Sequence, residues 1–402
     1  MKTQGSTRDI VFLSAVRTPF GTFGGSLKDL GAVDLTVYAA KAALERAGLS
    51  PNEIQHSIFG NVLQTTFDTI YFARHVALKA GCPIETPALT VNRLCGSGFQ
   101  AIVNGAQEII TGDAEACLVG GGESMSQAPH VVRGLRWGTS LGKSPPLEDS
   151  LWESLKDPVA GFSMAETAEN LADQYKLDRG CVDEFALRSQ QLAKTSWDAG
   201  VYRDEVVAVP VKNPKTRQME EFARDEHMRP DTTLEALTKL KPYFKADGVV
   251  TAGNASGIGD GAGALVIASD EYAKKKGRKP LGRLVAWGTA GVDPKIMGIG
   301  PVPASRNALQ RARMSLDDMD LIEVNEAFAP QACAVERELA IPREKLNVHG
   351  GAIALSHPLA ASGARITAHL LHSLRAAGKR YGLGTACIGG GQGIALIVEA
   401  LD

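Results

Sequence analysis

Two stretches of the chain, ALERAGLSPNEIQHSIFGN at residues 43–61 and ALQRARMSLDDMDLIEVNE at residues 308–326, align without a gap. Each begins as an amphipathic helical pattern, passes through an acidic turn and ends in a short apolar run typical of a strand. Further along, ACLVGGG (116–122) resembles ACIGGG (386–391). An internal repeat of this kind predicts two similar halves that face each other across a pseudo-twofold seam. The alternative is a chance match between two halves of similar composition.

Outward from these stretches, short apolar runs alternate with amphipathic segments, which is typical of layered α/β proteins. Strands are predicted at residues 10–16, 57–63, 88–92, 116–121, 264–269, 321–326, 386–390 and 394–400. Helices are predicted at residues 34–48, 98–112, 167–177, 181–200, 303–314 and 362–378.

The middle of the chain differs in composition from the two halves. Residues 124–250 contain a Pro-Pro pair, several tryptophans and charge clusters such as ARDEHMRPD at 223–231. We therefore predict three parts. They are an N-terminal half at 1–123 that is completed by 249–275, a loop-rich insertion at 124–248, and a C-terminal half at 276–402.

Length and composition exclude several classes of protein. The chain has 402 residues, of which 44% are hydrophobic and 22% charged, as in ordinary globular proteins. The formal net charge of −2 argues against a nucleic-acid partner, so an anionic ligand must meet locally placed donors. The apolar runs are much shorter than the roughly 20 residues of a membrane-spanning helix. The first ten residues, MKTQGSTRDI, show no secretory signal, although an uncleaved organelle address stays open.

The six cysteines lie far apart along the chain, at positions 82, 95, 117, 181, 333 and 387. No pair has the Cys-x-x-Cys spacing of a zinc or redox site, and the histidines form no His-x-x-x-His pattern. We therefore predict no metal site. Most of the cysteines are expected to be small buried side chains.

Two of these cysteines lie at strand ends before glycine-containing turns. Cys95, in TVNRLCGSGFQAI, comes directly before a helix, where the helix dipole would lower the pKa of the thiol and favour the thiolate. From spacing alone, a nucleophile and a core cysteine are equally open here. Cys387, in GTACIGGGQGIA, precedes backbone N–H groups that could converge on an anion. A core cysteine before a packing turn is the commoner finding.

Three polar residues in loops are the remaining candidates for a functional site. His357, in GGAIALSHPLAASGAR, is suited to activate a thiol, although a structural loop histidine is the alternative. Asn325, at the end of LIEVNEAFAP, could donate an amide hydrogen bond or cap a helix. Ser256 lies in the permissive loop TAGNASGIGDGAGA, which is equally typical of a plain turn.

Taken together, the motifs VNRLCGSGFQ, TAGNASGIGDGAGA, VNEAFAPQ, GGAIAL-HP-SGAR and CIGGGQGIA resemble the thiolase family over nearly the whole chain. RTPFG, GNVLQ, ESMSQAP, MAETAEN and IMGIGPVPA are most similar to its degradative, mitochondrial-type 3-ketoacyl-CoA branch. The resemblance implies an α/β thiolase fold: a duplicated, five-layered α-β-α-β-α core with an inserted loop domain that contacts coenzyme A.

The resemblance also implies a role for each candidate residue. Cys95 is expected to accept the acyl group as a thioester, His357 to activate Cys95, and Cys387 to move the proton on the acetyl carbon. Asn325 is expected to hold a water of one oxyanion hole, and the N–H groups of Cys95 and Gly389 to form another. Positions that match coenzyme A or pocket contacts in the family are Arg229, Thr232, Ser256 and Met164.

The implied reaction is thiolytic cleavage of 3-ketoacyl-CoA in fatty-acid β-oxidation, through a cysteine acyl-enzyme and reversible as a Claisen condensation. Coenzyme A is then a substrate, no cofactor is tightly bound, and the enzyme is expected to be a homodimer or homotetramer. It would be cytoplasmic in a bacterium and in the mitochondrial matrix of a eukaryote. The alternatives are a biosynthetic acetoacetyl-CoA thiolase, in which a His typically replaces Ser163, and a catalytically weakened acyl-CoA-binding protein.

Three departures from the family pattern cluster around His357. His349 stands where the family usually has Asn, and Ser356 and Ala360 stand where it usually has Gly. Glycine often marks a position with positive φ. Ser356 and Ala360 therefore predict local backbone strain and slower catalysis, with the catalytic residues themselves retained.

Overall fold

The computed structural model describes residues 8–213 and 215–401. Most of the segment inspected for a secretory signal, residues 1–7, lies outside the described residues, as do Pro214 and Asp402. The strands are β1 (Ile10–Arg17), β2 (Gly21–Thr22), β3 (His56–Gly60), β4 (Ala88–Val91), β5 (Ala116–Ser124), β6 (His130–Val131), β7 (Glu148–Asp149), β8 (Lys156–Asp157), β9 (Phe162–Ser163), β10 (Val209–Lys212), β11 (Met219–Phe222), β12 (Gly259–Ser269), β13 (Gly282–Gly291), β14 (Leu321–Val324), β15 (Tyr381–Ile388) and β16 (Gln392–Ala400).

The α-helices alternate with these strands. They are α1 (Ala32–Ala47), α2 (Phe72–Ala80), α3 (Ser97–Thr111), α4 (Ser150–Ser154), α5 (Met164–Tyr175), α6 (Arg179–Asp198), α7 (Leu234–Thr238), α8 (Asp270–Lys275), α9 (Pro301–Ala312), α10 (Ala329–Leu339), α11 (Ala352–Leu355) and α12 (Ser362–Ala376). Within the described residues, no helix combines the length and apolar character needed to cross a membrane.

One ten-stranded sheet runs through both halves of the molecule, in the order β14-β15-β16-β13-β1-β12-β5-β3-β4, with β2 paired to β12. β3 runs parallel to β4 and β5, and β14 runs parallel to β15. The halves join where residues 10–12 of β1 pair antiparallel with residues 282–284 of β13. The two sets of strands therefore form one continuous sheet.

The element boundaries repeat at the offset of the sequence repeat, which is 265 residues (308 less 43). This offset carries Ala47, the last residue of α1, onto Ala312, the last residue of α9. It carries His56 at the start of β3 onto Leu321 at the start of β14, and the bounds of α3 onto those of α12. A chance match does not explain this coincidence, so the two halves share one architecture.

The buried apolar residues form three main cores, stacked on either side of the two parts of the sheet. The first lies between α1, α2 and the N-terminal strands and includes Leu35. The second surrounds α3 and α12, where Phe99 and Leu370 pack with residues of both β12 and β16. The third lies between the C-terminal strands and α9 and α10, and includes Val335. The order helix, sheet, helix, sheet, helix confirms the predicted five layers.

The starts of α3 and α12 meet at the centre of the molecule. A Cβ added to Gly98 would lie 2.6 Å from the Ala360 carbonyl oxygen, and one added to Gly363 would lie 2.3 Å from the Phe99 nitrogen. Only glycine permits this approach, because any side chain would overlap backbone atoms. The loops that precede the two helices, one with Cys95 and one with His357, are thereby brought together.

Of the strands and helices of at least eight residues in the two halves, three were not predicted. β13, GRLVAWGTAG, has glycines at both ends and in its interior, which weaken a strand pattern. α2 is only nine residues long, and α10 begins with Ala-Pro, which resembles a loop although proline suits the first turn of a helix. The insertion contains two long helices, α5 and α6, as predicted, and two short ones.

Candidate active site

A cavity of about 180 Å³ lies where the two halves and the insertion meet. Cys95 and His357 both line it, together with Ser256 and Met164. These four residues were predicted as site residues, and the fold brings them together although they are far apart in the sequence. Most of the wall is apolar and includes Met125, Trp152, Leu155, Phe244, Ile258, Met297, Phe328 and Leu359.

Cys95 lies in a 3₁₀ turn, Leu94–Gly96, directly before α3. Leu94 has a φ of 47°, which is uncommon for a residue with a side chain. The turn is held by Asn92 Oδ1, which accepts from Leu94 N at 3.0 Å, and by Ser97 Oγ, which donates to the Leu94 carbonyl at 2.7 Å. These bonds hold the turn so that the Cys95 sulfur lines the cavity.

Burial raises the pKa of the Cys95 thiol to about 11. The backbone N–H groups of Gly389 and of Cys95 itself hydrogen-bond to the sulfur and lower its pKa, but burial outweighs them, and Glu123 raises the pKa further. The prediction that the thiolate is favoured is therefore wrong for the resting site, because burial raises the pKa by more than the two N–H groups lower it. Cys95 must give its proton to a base.

His357 is buried and its tautomer follows from its partners. Its Nδ1 lies 2.6 Å from Ser362 Oγ, and the Ser362 hydroxyl donates to the Pro358 carbonyl at 3.1 Å. Because that hydroxyl proton is already used, Nδ1 donates to Ser362 Oγ, and Nε2 is the ring nitrogen without a proton. Burial lowers the pKa of His357 to about 3, with a smaller effect from Arg365. At neutral pH the ring is neutral and Nε2 can accept a proton.

Asn325 directly follows β14 and faces this nitrogen. Its Nδ2 lies 3.3 Å from His357 Nε2, to which it donates. Its Oδ1 is buried and has no hydrogen-bond partner among the described residues. The structure thus places Asn325 beside His357, at the end of the cavity that Cys95 lines.

Cys387 lies at the end of β15 and is fully buried. Burial raises its pKa well above the usual range, and the nearby Cys95 raises it further. Gly389 follows in the turn towards β16, where an added Cβ would lie 3.1 Å from Leu94 Cδ1 and 3.2 Å from Met164 Sδ. Of the five residues predicted to be catalytic, Cys95 and His357 line the cavity, Gly389 and Cys387 lie near Cys95, and Asn325 lies beside His357.

This geometry agrees with the comparisons to known proteins. The thiolase N-terminal domain family matches residues 10–271, and the thiolase C-terminal domain family matches residues 278–400. The chain belongs to the thiolase family. The predicted family and fold are thereby confirmed.

Relatives of this thiolase include human enzymes and bacterial ones. The human mitochondrial 3-ketoacyl-CoA thiolase is 58% identical over 393 residues, which cover 98% of each chain. The beta-ketothiolase BktB of Cupriavidus necator is 48% identical over 98% of this chain and 100% of its own length. A crystal structure of the human mitochondrial 3-ketoacyl-CoA thiolase in complex with CoA has a TM-score of 0.96 at 56% identity, and covers 100% of both chains.

Two buried carboxylates hold the loop of this thiolase that carries His357. Glu326 accepts hydrogen bonds from Ser189 Oγ at 2.6 Å, Asn347 Nδ2 at 2.8 Å and Ile353 N at 3.1 Å. Glu123 accepts from Ala360 N at 3.1 Å, and burial raises its pKa to about 7. Neither residue was predicted, although each is an acidic residue at the end of an apolar strand, which is a recognisable signal.

Ser356 shows the strain that its position predicts. Its φ of 86° and ψ of 166° lie in a region that is essentially restricted to glycine. Its hydroxyl donates to the Gly257 carbonyl at 3.0 Å, and His357 N donates to the same oxygen at 2.9 Å. Ala360 is not among the non-glycine residues with positive φ, so the strain predicted there is wrong.

His349, the third departure, belongs to a buried polar network behind the loop. Its Nδ1 lies 3.0 Å from His369 Nε2, and His369 Nδ1 lies 2.8 Å from Glu205 Oε2. Glu205 also pairs with Arg17 at 2.7 Å. The Tyr202 hydroxyl donates to the His349 carbonyl. Burial lowers the pKa of His349 to about 4, so it is neutral at pH 7.

The four residues predicted to contact coenzyme A divide between two cavities. Ser256 and Met164 line the catalytic cavity. Arg229 and Thr232 line a neighbouring cavity of about 320 Å³. Residues 252 and 253 line this second cavity and residues 255–257 line the first, so one short segment borders both.

Proposed function

We propose that this thiolase cleaves 3-ketoacyl-CoA with coenzyme A and releases acetyl-CoA and a shortened acyl-CoA, as in fatty-acid β-oxidation. The observation that carries this proposal is that Cys95 and His357, with Nε2 unprotonated, line one apolar cavity, and that Cys387 lies near Cys95. The 58% identity to the human mitochondrial 3-ketoacyl-CoA thiolase supports the degradative branch.

In the first step Cys95 attacks the 3-keto carbon while His357 Nε2 takes the thiol proton. With pKa values of about 11 for Cys95 and about 3 for His357, the resting pair is neutral, so charge develops only during attack. The oxyanion on the former keto carbon is held by the N–H groups of Cys95 and Gly389. These two groups already converge on the sulfur, which supports this assignment.

In the second step the bond between C2 and C3 breaks and its electron pair passes to the acetyl-CoA enolate. The enolate oxygen is held by the His357 ring N–H, which now carries the proton, and by a water that Asn325 holds. Cys387 gives its proton to the enolate carbon. Its raised pKa supports this role, because the thiol is fully protonated before it acts. The thiol of free coenzyme A then gives its proton to the Cys387 thiolate and attacks the acyl-enzyme; the bond from the acyl carbon to Cys95 breaks, and the Cys95 sulfur takes back its proton from His357 as the shortened acyl-CoA leaves.

Coenzyme A, as a substrate and not a tightly bound cofactor, extends from the catalytic cavity past residues 252–257 to Arg229 and Thr232. Ser256 and Met164 contact its reactive end. The shared border of the two cavities supports this path. It also supports the division into an N-terminal half, a loop insertion that contacts coenzyme A, and a C-terminal half.

We further infer a homodimer or homotetramer that binds acyl-CoA substrates. In a eukaryote the enzyme would act in the mitochondrial matrix, which the names of its mammalian relatives support. In a bacterium it would act in the cytoplasm.

A thiolysis assay across 3-ketoacyl-CoA chain lengths tests the function, with loss of the 3-keto absorbance measured after coenzyme A is added. Cleavage that requires coenzyme A is expected, and a reaction without it is the control. Activity confined to acetoacetyl-CoA would favour the biosynthetic branch. A stable acyl-enzyme without turnover would show a weakened binding protein instead.

A further inference from the structure

A second pair of cysteines lies outside the catalytic cavity. Of the six cysteines, four are buried, as the sequence predicts, but Cys181 is half-buried like Cys95. Cys181 is the third residue of α6, and Cys333 lies in α10, which packs on α6 in the third core. Neither residue lines the catalytic cavity. The two thiols are 152 positions apart in sequence (333 less 181), and only the fold brings them together.

The surroundings of Cys181 stabilise a thiolate. Cys333 lies close to the Cys181 sulfur, and this contact lowers the pKa of Cys181 more than any other. Arg337, one turn after Cys333 on α10, places its Nη2 4.0 Å from Cys181 Sγ and lowers the pKa further. Partial burial and the Asp178 carboxylate act in the opposite direction.

Cys333 has the complementary properties of a partner that keeps its proton. It is 2% exposed, and its bond to Cys181 raises its pKa well above the usual range. Glu336 and Arg343, which lie beside it, form an ion pair with each other and act on it with opposite signs. Cys181, which is half-buried and lies beside a cation, is therefore the sulfur better suited to be a thiolate, and the buried Cys333 is the one better suited to keep its proton.

We propose that Cys181 and Cys333 form a peroxide-reactive dithiol site, in which Cys181 attacks the oxidant and Cys333 closes a disulfide. A structural pair of buried cysteines would lack both access to solvent and a cation beside the sulfur. Here the half-buried Cys181 has the cation, and the buried Cys333 lies next to it.

The chemistry balances with hydrogen peroxide as the only oxidant. The Cys181 thiolate attacks one peroxide oxygen, an S–O bond forms as the O–O bond breaks, and the released hydroxide takes up a proton to become water. The Cys333 sulfur then loses its proton and attacks the oxidised Cys181 sulfur. An S–S bond forms, the S–O bond breaks and a second water leaves. Two thiols are oxidised by two electrons, and one peroxide is reduced.

The test uses the full-length, reduced protein, treated with limiting hydrogen peroxide, alkylated and mapped by peptide mass spectrometry. A disulfide-linked peptide that contains Cys181 and Cys333 is expected, and dithiothreitol should reverse it. The same treatment of a Cys95→Ala variant should give the same linkage, which excludes exchange through the catalytic cysteine.

Variants separate the two roles. Cys333→Ala should stop at a Cys181 sulfenic acid that dimedone traps, and Cys181→Ser, a substitution at a half-exposed position, should leave Cys333 unoxidised. Arg337→Gln should slow the reaction roughly tenfold at pH 7, because it removes the cation beside the sulfur. Arg311→Gln, which removes an exposed arginine on α9, is the matched control and should leave the rate unchanged.

Unlinked Cys181 and Cys333 after peroxide treatment of the folded protein would overturn the proposal. A rate that is the same in wild type and Arg337→Gln would also contradict it. Cys181→Ser should retain normal thiolysis, so the outcome of this experiment is independent of the proposed function.

Discussion

The two cysteine pairs of this thiolase have the same local design and opposite electrostatics. In each pair one cysteine lies at the start of a helix, Cys95 at α3 and Cys181 at α6, and a second, buried cysteine lies beside it. The Cys95 thiol is shielded from water, and no cation among the described residues lowers its pKa, so burial keeps the thiol protonated. Cys181 has a thiol donor and Arg337, which favour the thiolate. The helix start alone therefore does not determine the acidity of a thiol; the groups within a few ångströms do.

This difference suits the two sites to different chemistry. In the proposed mechanism the Cys95 thiol becomes nucleophilic only when His357 accepts its proton, which ties its reactivity to a bound substrate. In the proposed dithiol site the Cys181 sulfur has a cation beside it and needs no base. The following predictions test this contrast, from the largest expected effect to the smallest.

Cys95→Ala should lower thiolysis by at least about 10⁴-fold, because the acyl group loses its attachment point. Acetyl-CoA should label wild-type Cys95, as found by peptide mass spectrometry. Cys181→Ser is the matched control, with thiolysis and labelling expected to be normal. An acetyl group on Cys387 with Cys95 unmodified would reverse the assignment of the nucleophile.

Cys387→Ala should lower thiolysis by about 10²- to 10⁴-fold, which is typical when a general acid or base is removed. The variant should still become acylated at Cys95 by an activated thioester, because that step does not need the acetyl carbon to be protonated. Cys333→Ala, the corresponding change in the other pair, should leave thiolysis unaffected. Near-normal cleavage by Cys387→Ala would show that another group supplies the proton.

Substitutions of Ser356 should affect the site around Cys95 and His357 and leave the pair formed by Cys181 and Cys333 unchanged. Ser356→Gly relieves backbone strain of about 1–3 kcal/mol and loses a hydrogen bond worth about 1 kcal/mol, whereas Ser356→Ala keeps the strain and loses the bond. The glycine variant should therefore be more stable than the alanine variant by at least about 1 kcal/mol in denaturant unfolding.

Substitution of Ser356 should also change the rate of catalysis. We expect kcat to rise in Ser356→Gly as the His357 loop relaxes, and to stay unchanged in Ala360→Gly, where no left-handed backbone is relieved. Peroxide oxidation of Cys181 should be the same in both variants. An unchanged kcat in a folded Ser356→Gly variant would show that the loop has adapted to serine.

His349→Asn should lower the free energy of unfolding at pH 7 by about 1 kcal/mol, because the bond to His369 is lost. It should also flatten the dependence of stability on pH. The pKa of His349 is about 4 in the folded state and near 6.5 when unfolded, so the unfolded chain binds more protons between these values. The stabilisation that the neutral His349 contributes is therefore fully present above pH 6.5 and is lost as the pH falls towards 4.

Denaturant unfolding between pH 4 and pH 7 measures this effect. The wild type should lose more stability on acidification than His349→Asn, and a Cys181→Ser control should behave like the wild type. If wild type and His349→Asn lose the same unfolding free energy between pH 7 and pH 4, another group is responsible for the acid sensitivity.

By itself, the sequence determined the duplication, the layered α/β architecture and the family, and it named five candidate residues, of which Cys95 and His357 line the cavity. Hydrophobic periodicity reports which face of an element is buried, so it located most long strands and helices. It did not find β13, α2 or α10, since glycine, short length or an initial proline weakens the pattern there. Motifs such as LCGSG, SHP and CIGGG identified their residues because each combines a reactive side chain with permissive neighbours.

Only the tertiary structure decided the acidity of each thiol, the carboxylates Glu123 and Glu326 behind the His357 loop, and the meeting of Cys181 with Cys333. The physical reason is common to all three. A pKa depends on how much water a group loses and on the charges within a few ångströms, and both come from residues far apart in the chain. Cys95 and Cys181 have the same kind of position in sequence, at the start of a helix, and different acidities, because burial acts on the first and Arg337 with Cys333 on the second.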